Sequence, residues 1–126
     1  MAATANGRVL RAGELEVRPA DYLAVARGRT LYLTARELRL LTVLVERQGR
    51  IVSREELYHE VWRQPYRKSD RSVDVYVARL RKKLGDAMPG RRLIHTHFGF
   101  GYRLAGDGRS TEGRPVNAGS PRQDGR

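Results

Sequence analysis

D-R-S-V-D-V-Y-V-A-R-L-R-K-K-L, from Asp70 to Leu84, is the stretch on which the fold turns. Val73, Val77, Leu80 and Leu84 recur at helical spacing, which lays one apolar stripe along an α-helix. The opposite face carries Arg71, Ser72, Val75, Tyr76, Ala78, Arg79, Lys82 and Lys83, and Asp74 is its only acid. A solvated helix face interleaves acids to make i,i+4 pairs. This face instead has the composition to lie against a polyanion. Arginine can pair bidentately with a guanine edge, and Val, Ala or Tyr can meet thymine methyls. Taken alone, the stretch also fits a basic surface helix with no ligand.

The whole chain has the same bias. Its 126 residues suffice for one domain with a modest core. Against 14 Asp and Glu stand 25 Lys and Arg, for a net charge of +11. Nearly all of that excess lies ahead of Ala105. Such a chain is drawn to polyanions across a Debye length of about 8 Å in physiological salt. Nucleic acid is the first candidate and an anionic membrane the second. The chain has no cysteine, which excludes disulfides, thiolate metal sites and thiol nucleophiles. No apolar run reaches the roughly 18 residues of a membrane span. The start, M-A-A-T-A-N-G-R, lacks a hydrophobic signal core. A cytoplasmic, nucleoid-associated protein fits these features.

Moving outward, residues 1–7 are small and polar and read as a disordered leader. Val9–Leu10, Leu15–Val17, Leu23–Ala26 and Thr30–Leu33 read as short strands, punctuated by Gly13, Pro19–Asp21 and Gly28. They make a small antiparallel sheet that needs something to pack on. T-A-R-E at Thr34–Glu37 is a capping box that opens a core helix to about Gln48, and Gly49 closes it. Ile51–Val52 is a short extended link. S-R-E-E at Ser53–Glu56 is a second capping box, for a helix to about Trp62 with Leu57, Tyr58 and Val61 facing inward. Arg54, at its first position, points outward to solvent or to a phosphate. Arg63–Ser69 is a loop with exposed Tyr66 and three cations, either a plain connector or a contact surface for DNA or protein. Ser69 or Asp70 caps the basic helix. Gly85–Arg92 reads as a loop, Leu93–His97 as a strand, Phe98–Gly101 as a tight turn and Tyr102–Leu104 as the returning strand. Residues 105–126 are too poor in apolar side chains to offset their ordering entropy and read as a disordered tail.

Four strands, three helices and a hairpin make an α+β winged helix-turn-helix over residues 8–104. In that order, L-T-A-R-E-L-R-L-L (Leu33–Leu41), V-S-R-E-E-L (Val52–Leu57), V-W (Val61–Trp62), R-S-V-D-V-Y-V-A-R-L-R-K-K-L (Arg71–Leu84) and G-F-G-Y-R-L (Gly99–Leu104) resemble the OmpR/PhoB-type DNA-binding domain of bacterial response regulators. The resemblance implies a third helix in the major groove and a hairpin wing on the adjacent minor groove or backbone. Val75, Tyr76 and Arg79 would face bases. Arg54, Trp62, Arg71, Ser72, Arg81, Lys82, Thr96 and Tyr102 would meet phosphates. The loop with Arg63, Tyr66, Arg67 and Lys68 would correspond to the segment that touches RNA polymerase, and two copies would bind direct repeats head to tail.

Two departures accompany the resemblance. The usual wing reads T-V-R-G-x-G-Y, whereas this chain reads T-H-F-G-F-G-Y, so His97 and Phe98 precede Gly99 where Val and Arg are usual. Phe98 can pack on a sugar and His97 can donate to a phosphate, or both are surface or packing variants. The segment ahead of Thr34 is too short for a receiver domain, so the chain reads as an excised fragment or as a protein without phosphorylation control.

Enzymatic chemistry has no support in the residues. Of His59, His95 and His97, the last two share a strand face, but no acid completes a metal site. No cofactor motif is present. Besides a specific DNA-binding regulator, two readings remain: a basic nucleic-acid binder with little sequence preference, and a winged helix that acts as a protein-interaction module on RNA polymerase.

Overall fold

Leu38, Leu40, Leu41, Val43, Leu44 and Val45 carry apolar side chains around most of one helix, so that helix belongs at the centre of the protein. In the computed structural model, which describes residues 7–106, this is α1 (Ala35–Glu46). It starts on the expected capping box. Thr34 Oγ1 accepts from the Glu37 N–H at 3.1 Å, and the Glu37 carboxylate accepts from the Thr34 N–H at 2.9 Å.

The sheet β1 (Leu10–Ala12), β2 (Leu15–Arg18), β3 (Leu23–Ala26) and β4 (Arg29–Leu31) is antiparallel in chain order. Ala12, Leu15, Val17, Ala24 and Ala26 are its buried members. Alternation along each strand sends them to one face. Arg27 and Gly28, both at positive φ, form the two-residue β3–β4 turn, a conformation that matches strand twist. Strand boundaries differ from expectation by one or two residues: β1 extends to Ala12 and β4 ends at Leu31.

Helix α2 (Arg54–Trp62) begins on Ser53, whose Oγ accepts from the Glu56 N–H at 3.0 Å. The return half of this expected capping box is not formed. The Glu56 carboxylate instead takes Arg50 at 3.0 Å. Helix α3 (Ser72–Ala87) buries Val73, Val77, Leu80 and Leu84, the stripe read from the sequence. Neither Ser69 nor Asp70 is its N-cap: that position is Arg71, which makes no side-chain cap, while Asp70 Oδ1 accepts from the Ser72 N–H at 2.8 Å from just outside the helix. The helix runs through Gly85, against the expected loop. Met88, fully buried, extends the stripe by one more turn. Burying that side chain outweighs the roughly 1 kcal/mol cost of one helical glycine.

The wing is β6 (Ile94–His97) and β7 (Gly101–Leu104). Ile51–Val52 is more than a link. It is β5, paired with β7, so the wing is rooted in a three-stranded sheet of order β5-β7-β6. Ala105 donates to the Leu93 carbonyl at 2.9 Å, and Gly106 lies against the Ala12 backbone. Most of the expected leader and tail, residues 1–6 and 107–126, lies outside the described residues.

One long-range ion pair fixes α3 to α1. Lys83 Nζ donates to Glu37 Oε1 at 2.6 Å and to the Tyr32 carbonyl at 3.0 Å. Glu37 is 2% exposed. Burial pushes its pKa up, but Lys83 and the Thr34 amide outweigh burial and hold it below the ordinary 4.5. A carboxyl with a depressed folded pKa contributes stability that is full above the unfolded value and lost as pH falls through the folded one. Lys83→Ala should therefore lower the unfolding free energy by about 1–3 kcal/mol at neutral pH. It should also move the acid limb of the stability curve to higher pH, as read by urea denaturation across a pH series.

Candidate nucleic-acid interface

With Val73, Val77, Leu80 and Leu84 turned inward, helical geometry turns Val75 and Arg79 outward and leaves Tyr76 half-buried beside them, packed against the core. Val75 is 44% exposed. Arg79 is exposed, and its guanidinium lies 4.9 Å over the Tyr76 ring. Tyr76 meets Trp62 edge-on at 5.3 Å, and Trp62 stacks on Tyr58 at 5.0 Å. The three expected base-facing residues thus form one strip whose aromatic member is held from behind. Arg71 and Lys82 stand exposed at the two ends of the strip, 3.7 Å from Asp74 and 3.6 Å from Asp86 respectively. Ser72 is half-buried at the helix start.

Lys83 does not share this surface. It lies on the side of α3 that faces α1, in the ion pair with Glu37. Sequence periodicity alone gave it to the outer face because a long side chain at the stripe's edge can turn either way.

Asp74, the lone acid, organises the rest. Its Oδ1 accepts from Arg54 Nε at 2.8 Å and from the Tyr102 hydroxyl. Burial raises the pKa of Asp74, but the bonds from Tyr102 and Arg54 outweigh it, and the carboxyl stays below its ordinary range. The same bond raises the pKa of Arg54. Burial, then the bond to Asp74, raises that of Tyr102. Arg54 therefore does not simply point outward, as expected, but lies along α3 with its guanidinium 5.5 Å over the Tyr102 ring. Tyr102 is 4% exposed, and its hydroxyl hydrogen faces Asp74. Its place is inside the clamp between wing and helix. Arg81 completes that clamp, donating from Nη2 to the Ile94 carbonyl at 3.1 Å and to Thr96 Oγ1 at 2.5 Å.

The wing tip carries no cation. Arg103 Nε donates to His97 Nε2 at 3.1 Å. Burial, then Arg103, lowers the pKa of His97, and burial pushes His95 down to about 4. Both imidazoles are neutral at pH 7. Phe98, Gly99 and Phe100 stand exposed beyond them. In the loop after α2, Arg63, Arg67 and Lys68 are exposed. Tyr66, expected to be exposed, is half-buried and packs against Tyr58 at 5.5 Å. Among the described residues, no group of three or more His, Asp or Glu is placed to hold a metal, and no helix is long and apolar enough to cross a membrane.

Residues 28–104 match the family described as transcriptional regulatory protein, C terminal. The chain is 40% identical over 92 residues to the transcriptional regulatory protein AfsQ1 of Streptomyces coelicolor, covering 73% of this chain and 41% of that protein. It thus spans less than half the length of that relative. The fold is similar to the DNA-binding domain of CpxR from E. coli, with TM-score 0.72 and 34% identity, covering 78% of this chain and 96% of that one. It is also similar to the Klebsiella pneumoniae RstA DNA-binding domain, solved in complex with the RstA box, with TM-score 0.71 and 30% identity. That likeness covers 79% of this chain and 98% of RstA's.

The clamp at Asp74 makes a stability prediction. Asp74→Ala leaves the buried Tyr102 hydroxyl and the Arg54 guanidinium without their acceptor and should lower the unfolding free energy by about 1–3 kcal/mol. Asp86→Ala, which removes only an exposed i,i+4 pair with Lys82, should leave it essentially unchanged. Parallel denaturation of the two variants checks this.

Proposed function

The chain belongs to the OmpR/PhoB-type transcriptional regulatory protein family, and we propose that it regulates transcription by binding double-stranded DNA at a specific sequence. The observation that carries this reading is the strip Val75–Tyr76–Arg79. It combines an exposed aliphatic side chain, an anchored aromatic ring and a guanidinium laid across it. A purely electrostatic binder has no need of such a surface, whereas base edges in a major groove about 12 Å wide present methyls and acceptors that match it.

In this reading α3 enters the major groove. Arg71, Ser72 and Lys82 meet the flanking phosphates, and Arg54 and Trp62 do so from α2. Arg81 and Thr96 join the wing to the helix at the groove edge, and Tyr102 positions both from within. The exposed cations Arg63, Arg67 and Lys68 are the surface for RNA polymerase, and two copies occupy direct repeats head to tail. The protein acts in the cytoplasm, on the nucleoid.

Base and phosphate contacts have different signatures. Arg79→Ala should cost about 1–3 kcal/mol on the preferred site and relax selectivity at one base pair. Lys82→Ala should weaken binding to all sequences alike and reduce the salt slope by about one unit. Fluorescence anisotropy on the preferred and single-substituted duplexes, at several salt concentrations, separates the two. A uniform loss from both variants would contradict specific readout.

A further inference from the structure

The wing ends in two phenyl rings in open solvent. Phe98 is 86% exposed and Phe100 71%. Tyr22 and Tyr32 are as exposed, at 81% and 84%, but each offers water a hydroxyl, whereas two bare phenyls within three residues make an apolar patch with no polar handle. Their position narrows the partner. The cross-strand pair Thr96–Tyr102 is gripped by α3, through Arg81 on one strand and Asp74 on the other. The tip lies two residues further out, so the rings stand about 7 Å beyond that grip. The tip is thus tied, through Arg81 and Asp74, to the same helix that carries the surface assigned to DNA.

The tip is also preformed. The Phe100 N–H donates to the His97 carbonyl at 2.8 Å, and Gly99 holds φ +83°. Gly101 sits so close to β5 that a Cβ there would be 2.1 Å from the Val52 carbonyl oxygen. No other residue fits that approach, and the turn is pinned against the sheet. Among residues 98–101 there is no charge, and the neighbouring His97 is held neutral with its Nε2 facing Arg103. A tip of this kind cannot grip a polyanion by charge.

We propose that Phe98 and Phe100 form an apolar wedge that inserts at a base step in the minor groove beside the recognition-helix site and unstacks it. Apolar side chains inserted from the minor groove kink duplexes in this way. The proposal rests on the DNA-binding reading above and adds the chemistry of the second contact. The wedge gains affinity from stacking and desolvation, without displacing counterions.

The test uses the tightest duplex recovered from a random-sequence selection, with 2-aminopurine placed in turn at each position flanking the half-site. The intact protein should raise fluorescence at one step only. Phe98→Ala/Phe100→Ala should abolish that rise and weaken binding on the order of tenfold, while the salt slope stays unchanged. Phe98→Leu should keep most of the effect. Both phenyls are exposed, so the substitutions spare the core. Specific binding with fluorescence and affinity unaltered in the double alanine variant overturns the wedge and turns the phenyl pair toward a protein partner. A loss of affinity without any fluorescence change also overturns insertion, in favour of packing on sugars. Absence of sequence preference in the unaltered protein overturns the DNA reading itself, and the wedge with it.

Discussion

An acid in the middle of a basic helix face holds this protein in its working shape. Asp74 receives hydrogen bonds from α2 through Arg54 and from the wing through Tyr102, with Arg71 3.7 Å away on its own helix. Without the carboxylate, Arg54 and Arg81 would crowd the Tyr102 ring from distances of 5.5 and 5.6 Å with no compensating charge. Partial burial costs solvation but strengthens the attraction, and hydrogen bonds satisfy the group from two sides. The result is a fixed angle between recognition helix and wing.

The rest of the scaffold serves the same end. Leu40, Leu41 and Leu44 of α1 are completely buried, which makes this helix the centre of the packing. Lys83 ties the back of α3 to the buried Glu37, while Asp74 and Arg81 tie its front to α2 and β6. With α3 held on both sides, the strip Val75–Tyr76–Arg79 is preorganised, so the base readout proposed for it would forfeit little conformational entropy. The wing gains the same rigidity from β5.

What the sequence revealed and what it hid divide along contact range. The stripe Val73, Val77, Leu80 and Leu84, the capping box at Thr34 and the turn at Phe98–Gly101 depend on residues within a few positions, and local periodicity exposes them. The partners of Asp74 lie 20 and 28 residues away, and that of Lys83 lies 46 away. No local rule couples such pairs. The same holds for Ile51–Val52, which has strand character only because β7 returns beside it. Gly85 misled because its helix-breaking tendency is local, whereas the burial of Met88 that overrides it is not. Arg54, Arg81 and Tyr102 could be placed near a DNA surface by resemblance, but their mutual clamp could not. The one available signal was the isolation of Asp74 among cations: a lone acid there has an internal partner to hold.

Specific readout by α3 is tested most directly by selection from random duplex DNA, followed by salt titration of the winner against a scrambled duplex. Specific recognition predicts an enriched sequence bound about a thousandfold tighter than the scramble. The advantage should persist as salt rises, because base contacts release no counterions. No enriched sequence, with the same steep salt dependence on every duplex, would contradict the account and leave the basic face as a non-specific coat for nucleic acid.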